Sequence, residues 1–368
     1  MSVDGRTVVL LGDYNYEYFR EVSLREGLES QDVTVKECRY RDEPLFIGVR
    51  KLLLLPLFYA VVLRRLWQFS QQGDIDAILV TKFNVLMLPI AALAAWWLDA
   101  ILIYDLFVSL YRTGEMRGYA SWKVILVYWI ERLTLRLPAY HLTETAEFAR
   151  LYAELYSLPR ERIVGLPLGA DDTWFHPRDN SPFDPFTVVY WGNFLPHHGL
   201  DTVVDAIDRL RGEDVEFVFL GEGPELDRIR GRVDALDALN VEFRGRVPWE
   251  ELSEAAAGGD VALGIFADDP RSRASITNKV SEGVATGTAV VTMRSPAIEE
   301  WFTDGEDSVL VPPEDPDALA AAIRKLRDDP EYRERIAGRG RERYESVFSI
   351  EHIGELLVEK VPLSRAEL

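Results

Sequence analysis

Four segments in the second half of the chain place glycines and polar side chains where an apolar run ends. They are GNFLPHHG from Gly192, LGEGPEL around Gly221, FRGRVPWEEL around Gly245, and SITNKVSEGVATGTAVVT, which contains Lys279 and Glu282. Glycine at a strand-to-helix handover lets backbone N–H groups approach a phosphate, and a helix N-terminus favours an anion in front of it. The chemistry offered is the gripping of a phosphate or diphosphate, although GEGP taken alone is more often a plain turn. Asp74 and Asp76 spell an Asp-x-Asp pair that could hold a divalent metal, but they precede an apolar run. Two carboxylates at a strand entrance make no pocket. Apart from His197 and His198 the five histidines are scattered, so no metal site is expected.

These segments need a scaffold that brings strand ends together. In the first half TVVLLG, DVTVKEC, AILVTK and ILIYDLF read as strands, alternating with helical stretches over 19–29, 45–69 and LPIAALAAWWL. After WFHPRDNSPFDPF the alternation restarts with TVVYWG, VEFVFLG, VEFRGRV, DVALGIF and TAVVT, and residues 278–286 form a helix between the last two. Strands separated by helices imply parallel sheets covered on both faces. The expected fold is α/β, two Rossmann-like doubly wound domains facing a cleft, with residues 1–180 in the first and 181–345 in the second. A last helix, about 346–362, is expected to pack back on the first. Ligands in such sheets bind beyond the carboxyl ends of the strands, which makes the cleft the default site.

The 368 residues are 48% hydrophobic, enough for two cores, and carry a net charge of -20. Residues 1–180 account for only -3 of it, against -17 for residues 181–368. An acid excess of that size argues against a nucleic-acid partner. With 7 lysines against 34 arginines, the acidic, lysine-poor composition points to a halophilic, haloarchaeal source. Cys38 is the sole cysteine, so neither an internal disulfide nor a cysteine metal cluster is available, and an intracellular setting is expected. The opening MSVDGRTVVLLGDYN has no apolar run of signal-peptide type.

The order and spacing of the four segments resemble the C-terminal domain of family 4 glycosyltransferases, which have the GT-B fold. The matching positions are Gly192, the turn Gly221, Glu222, Gly223 and Pro224, the segment Gly245, Arg246 and Val247, and Glu282 on the last helix. More loosely, VVLLGDYNYEYFREVSLREGL and LIYDLFVSLYRTG resemble the family's N-terminal domain, which implies an acceptor side at Gly12, Asp13, Tyr14, Asp105, Ser109 and Tyr111. Many family members carry a histidine where Asp105 stands, and a carboxylate there would act as a base or orient the acceptor hydroxyl; an Asp capping its loop is the plainer reading.

The resemblance implies that Glu282 accepts hydrogen bonds from the ribose of a nucleotide. The family's first motif glutamate falls on Ala274, so the contact to the donor sugar is not inherited. The family's basic pair falls on Asn193 and His198, neither a permanent cation. Lys279, at the start of the same helix as Asn278 and Glu282, is therefore expected to meet the leaving diphosphate, with Arg273 and His198 as helpers. The implied reaction is metal-independent, needs no cofactor beyond the nucleotide-sugar donor, and retains configuration by front-face substitution. A nucleotide-sugar epimerase and a catalytically inactive partner subunit are the rival readings.

A membrane surface is the other expected partner. Between Pro44 and Gln72 there is no acid, and Arg50, Lys51, Arg64 and Arg65 bracket the run LLLLPLFYAVVL, too short to span a bilayer. Basic ends around aromatic and apolar residues suit interfacial attachment to anionic lipid. The acceptor would then be lipid-linked or a glycan, and the protein peripheral on the cytoplasmic face. The second aromatic stretch, YASWKVILVYWIERLTLRL, is expected to be a buried helix of the first sheet.

Overall fold

The computed structural model describes residues 5–14, 19–40, 49–178 and 181–367. Two compact units emerge, residues 1–167 with 350–368, and residues 168–349. The chain passes from one to the other at Pro167–Leu168, earlier than the expected boundary near 180. The reason is packing, because Ala170 and Phe175 belong to a core of the second unit.

In the first unit six parallel strands, β1 (Thr7–Gly12), β2 (Thr34–Arg39), β3 (Ala77–Val80), β4 (Ile101–Asp105), β5 (Tyr140–Thr143) and β6 (Ile163–Gly165), lie in the order β2-β1-β3-β4-β5-β6. Every residue of β3 and β4 is buried, as a strand covered on both faces requires. The connecting helices are α1 (Phe19–Ser30), α2 (Val49–Ser70), α3 (Leu88–Leu98), α4 (Leu110–Met116), α5 (Ser121–Thr134) and α6 (Ala146–Tyr156). Only the β1-to-β2 step runs in the opposite direction along the sheet. Right-handed crossovers therefore put α1 on one face and α2, α3 and α5 on the other. The sequence-predicted helix over 45–69 is seen as α2, and residues 45–48 lie outside the described residues.

The second unit holds β7 (Thr187–Trp191), β8 (Glu216–Leu220), β9 (Val241–Gly245), β10 (Val261–Leu263), β11 (Ala289–Met293) and β12 (Val309–Val311), parallel in the order β12-β11-β10-β7-β8-β9. Its helices are α7 (Leu200–Arg209), α8 (Leu226–Ala235), α9 (Trp249–Gly258), α10 (Pro270–Ala274), α11 (Asn278–Ala285), α12 (Pro296–Glu299), α13 (Pro316–Asp328) and α14 (Pro330–Arg343). Alternation along β7 divides the core in two. Val188 and Tyr190 join the cluster containing α7 and α13 residues, while Val189 and Trp191 join the one containing α11 residues. The face that Trp191 takes decides what it can touch. The last helix, α15 (Ile350–Lys360), returns to the first unit and packs on α1. Gly27 meets Gly354 there, and a Cβ at Gly354 would lie 1.9 Å from the Gly27 carbonyl oxygen, so the two helices cross in backbone contact.

Candidate active site

The strand ends of β7, β8 and β9 meet through their glycines. Gly192 N–H donates to the Leu220 carbonyl at 2.9 Å, and Gly221 N–H to that of Gly245 at 2.6 Å. Gly221, with φ near +120°, leaves no room for a side chain, because a Cβ would stand 2.1 Å from the Gly192 oxygen. Gly192, also at positive φ, faces Lys279, whose Nζ would lie 3.1 Å from a Cβ built there. The absence of a side chain lets the lysine head come down onto the first loop.

Lys279 sits in the first turn of α11, buried, with Nζ 5.1 Å from the centre of the Tyr190 ring. Burial draws its pKa down to about 8, while the nearby Glu282 pulls the other way. One turn on, Glu282 is also buried, and its Oε2 accepts a 2.6 Å hydrogen bond from Trp191 Nε1. Burial raises this carboxyl to about 7, against the lowering effects of Trp191, Lys279 and Asn278. Thr277 is the N-cap, yet its side chain makes no capping bond, and its buried hydroxyl has no partner among the described residues. An open helix N-terminus, an unused hydroxyl and a desolvated ammonium thus stand together, and all three are suited to an anion.

The expected helpers are engaged with other partners. His198 Nδ1 lies 2.6 Å from the Tyr190 hydroxyl, and burial with Lys279 nearby holds the ring well below the usual histidine range, so it is neutral. Arg273 is exposed and bound to Asp268. In its place His197, which sequence reasoning passed over, presents a buried Nδ1 without a partner among the described residues. Burial lowers its pKa to about 4, so it too is neutral. Asn193, Glu222 and Arg246 are exposed at the three strand-end loops, and Val247 is half-buried. Ala274 is fully buried.

The first unit's strand ends tell a different story for the expected acceptor residues. Asp105 is fully buried and its Oδ1 receives Arg20 Nε and Nη2 at 3.3 and 3.0 Å. This carboxylate is engaged by a buried guanidinium inside the unit, an arrangement that fits a structural role at the strand end. Arg20 Nη1 also donates to the Leu166 carbonyl at 2.8 Å. Ser109 is fully buried as the N-cap of α4, accepting from Arg112 N–H, with Oγ 2.6 Å from the Tyr156 hydroxyl. Tyr111 donates to Glu115 on the surface at 2.6 Å. Both side chains are thereby engaged within the unit itself. Gly12 abuts the β3 end, where a Cβ would fall 2.0 Å from Thr81 Oγ1, and Asp13 N–H reaches Asn84 Oδ1 at 3.4 Å. Tyr14 is buried under the Arg39 guanidinium, 5.4 Å from its ring centre. Sequence reasoning missed the buried Lys82–Glu21 pair and Glu131. Glu131 reaches from α5 to accept from the N–H groups of Leu110 and Tyr111 at 2.7 and 3.0 Å. Adjacent Arg20 and Glu21 on the inward face of a helix were the only available signal. As for Asp76, its Oδ2 accepts from Thr7 N–H at 2.8 Å at the far end of the sheet, a structural duty.

Residues 185–329 match the family described as glycosyl transferases group 1, and residues 5–169 the glycosyl transferase 4-like domain. The lipopolysaccharide core biosynthesis glycosyltransferase LpsE of Rhizobium meliloti is 30% identical over 174 residues, 47% of this chain and 49% of that protein. The phosphatidyl-myo-inositol mannosyltransferase of Mycolicibacterium smegmatis is 25% identical over 286 residues, 76% of this chain and 69% of that protein. The chain thus spans about half the length of several curated relatives it matches. Anabaena HepE, solved with UDP and glucose, shares the fold with a TM-score of 0.67 at 15% identity, over 96% of this chain and 98% of that one. With its two halves matched by these two domains and its fold shared across nearly its whole length, the chain belongs to the GT-B glycosyltransferases of the group 1 and family 4-like type.

Proposed function

We propose that the chain transfers a sugar from a nucleoside-diphosphate donor to an acceptor held at a membrane surface. The observation that carries this reading is the grouping of Lys279, Glu282 and Thr277 at the open end of α11 against Gly192. In this reading the diphosphate takes the N–H groups of α11 and the Lys279 ammonium, and Glu282, oriented by Trp191, accepts from the ribose hydroxyls. The Asn193, Glu222 and Arg246 loops line the donor, with Asn278 holding Glu282. Departure of the diphosphate concentrates negative charge on its oxygens, and a preorganised ammonium meets that charge without reorganising. The acceptor hydroxyl attacks the anomeric carbon as the sugar–phosphate bond breaks, its proton passing to a leaving phosphate oxygen. Since Asp105 is tied to Arg20 and Ala274 offers no nucleophile, front-face substitution with retention suits the residues present. No metal is called on.

A lipid-linked or glycan acceptor fits the two curated relatives, one named for lipopolysaccharide core and one for phosphatidyl-myo-inositol. The basic, apolar α2 supports peripheral attachment, with Leu53 and Leu57 exposed. A donor panel of uridine and guanosine diphosphate sugars, assayed for transfer and hydrolysis, tests the reading. Binding without turnover would favour the inactive partner subunit, to which the buried Ala274 gives some support, and free interconversion of donor sugars would favour an epimerase.

A further inference from the structure

Among the described residues seventeen large hydrophobic side chains are exposed, and fourteen of them fall between Leu53 and Leu137. They lie on α2, α3, α4, α5 and the adjoining turns, all on crossovers that the handedness rule assigns to one face of the first sheet. The expectation that the stretch around α5 is core is overturned. Of α5 only Val124 and Glu131 are buried, while Trp122 is 65% exposed and Ile125, Leu126, Trp129 and Leu133 each more than half. On α3, Trp96 is 72% exposed. An apolar patch of this extent marks an interaction surface.

Charge says what covers it. The three helices α2, α3 and α5 hold 22, 11 and 14 residues, and their one acidic residue is Glu131, which is turned inward and fully buried. With 61 acids in 368 residues, about eight would be expected by composition. Their basic residues are Arg50, Lys51, Arg64, Arg65, Lys123 and Arg132. Arg65 binds the Arg39 carbonyl; Lys123 and Arg132 lie over the rings of Trp122 and Trp129. Exposed tryptophans beside cations, on three helices that present no surface acid of their own, are complementary to an anionic headgroup layer, while Glu115 of α4 and Asp99 after α3 are exposed acids beside them in the chain. A second copy of the chain would set the same cations against themselves in an isologous interface. Among the described residues no helix is long and apolar enough to cross a membrane, so the helices can lie on a bilayer and not through it.

We propose that α5, with α3 beside it, forms a lipid-docking plane that seats the first unit on an anionic phospholipid bilayer, with Trp122 and Trp129 at the headgroup level. The proposal deepens the reading of a membrane-held acceptor and extends it beyond α2. Glu131 gives the plane a link to chemistry, because the same helix that meets lipid caps α4 at the end of β4.

Full-length protein is sedimented with vesicles of phosphatidylglycerol and phosphatidylcholine, and with phosphatidylcholine alone. Three proteins are compared: wild type, Trp122→Ser/Ile125→Ser/Trp129→Ser, and Leu53→Ser/Leu57→Ser. The α5 variant is expected to lose vesicle affinity by about tenfold or more, as expected for removing the main apolar insertion, with its melting temperature unchanged. Trp122→Ala alone, with a smaller loss in the same direction, guards against misfolding of the triple variant. UDP and GDP affinity by calorimetry is measured in parallel. It should be equal in all three proteins, so failure of the donor reading is seen separately. The proposal is overturned if the α5 variant binds anionic vesicles as wild type does, leaving α2 as the anchor. It is equally overturned if wild type binds no vesicle, or if the face proves to hold a dimer that the α5 variant dissociates.

Discussion

Trp191 Nε1 donates to Glu282 Oε2 across 2.6 Å, joining the last residue of β7 to the second turn of α11 inside the core. The indole fixes the carboxylate in place before any nucleotide arrives, and its loss would leave a buried oxygen without a donor. Trp191→Phe is therefore expected to cost about 1–3 kcal/mol of stability, the range for orphaning a buried polar group. It should also weaken UDP or GDP binding. Glu282→Gln keeps the indole bond but loses the charge-assisted bonds to ribose, and a loss of about 1–3 kcal/mol in nucleotide affinity is expected by calorimetry. Unchanged affinity in the folded Gln variant would remove Glu282 from the ribose.

The same carboxyl sets a pH dependence. Its pKa in the fold is about 7, whereas an unfolded glutamate titrates near 4.3. The stability associated with its neutral buried form is complete below the unfolded value and is lost as pH rises through about 7. Wild type should thus lose melting temperature relative to Glu282→Gln between about pH 5 and pH 8. Nucleotide binding should move the other way and strengthen over that range, because ribose hydroxyls donate best to the ionised form. A pH-independent difference between the two proteins would refute the assignment.

Lys279 carries the opposite sign. Its pKa is drawn down to about 8 from an unfolded value near 10.4, so its buried charge destabilises the unliganded fold at neutral pH. Lys279→Met should melt higher than wild type at about pH 7 and yet turn over about 10²-fold more slowly, as when one preorganised charge stabiliser is removed. Near-normal transfer by the variant would show that the ammonium does not meet the leaving group.

These contrasts show where the sequence was legible. Apolar runs located β1 to β4 and β7 to β11, because parallel strands buried on two faces must be continuously apolar, as in ILIYD and TVVYW, while the short β5, β6 and β12 went unread. Lys279 and Glu282 were readable because they share one helix turn. Trp191 was not, since its bond to Glu282 spans 91 positions and depends on which face of β7 points to α11. Asp105 was left open between a base, an orienting group and a loop cap because Arg20, 85 residues earlier, gives no local sign of reaching it. The α5 stretch was misjudged for a reason of pattern alone. A wide apolar helix face looks the same in sequence whether a sheet or a lipid covers it, and only its exposure separates the two.

The Arg20–Asp105 pair should behave as architecture. Removing one partner of a buried ion pair costs about 3–5 kcal/mol because the other charge is left uncompensated. Arg20→Met and Asp105→Leu are each expected to unfold early, while the double variant should recover part of the loss. If Asp105 were instead the acceptor base, Asp105→Asn would fold normally and lose activity with an altered pH profile. Thermal unfolding and the pH dependence of transfer, measured on the same proteins, distinguish the two roles.

Salt should divide the membrane interaction into its two components. Arg64, Lys123 and Arg132 are cations of α2 and α5 other than Arg65, whose guanidinium is already committed to Arg39. Each cation near an anionic surface contributes about 1 kcal/mol, so replacing the three with glutamine should weaken vesicle binding by about 3 kcal/mol at low ionic strength. Near 1 M salt the screening length falls to about 3 Å and that difference should nearly vanish. The apolar contribution of Trp122, Ile125 and Trp129 does not screen, so wild type should still co-sediment with anionic vesicles in concentrated salt. Binding that disappears in salt for wild type as well would mean that the tryptophans rest on the surface without entering it.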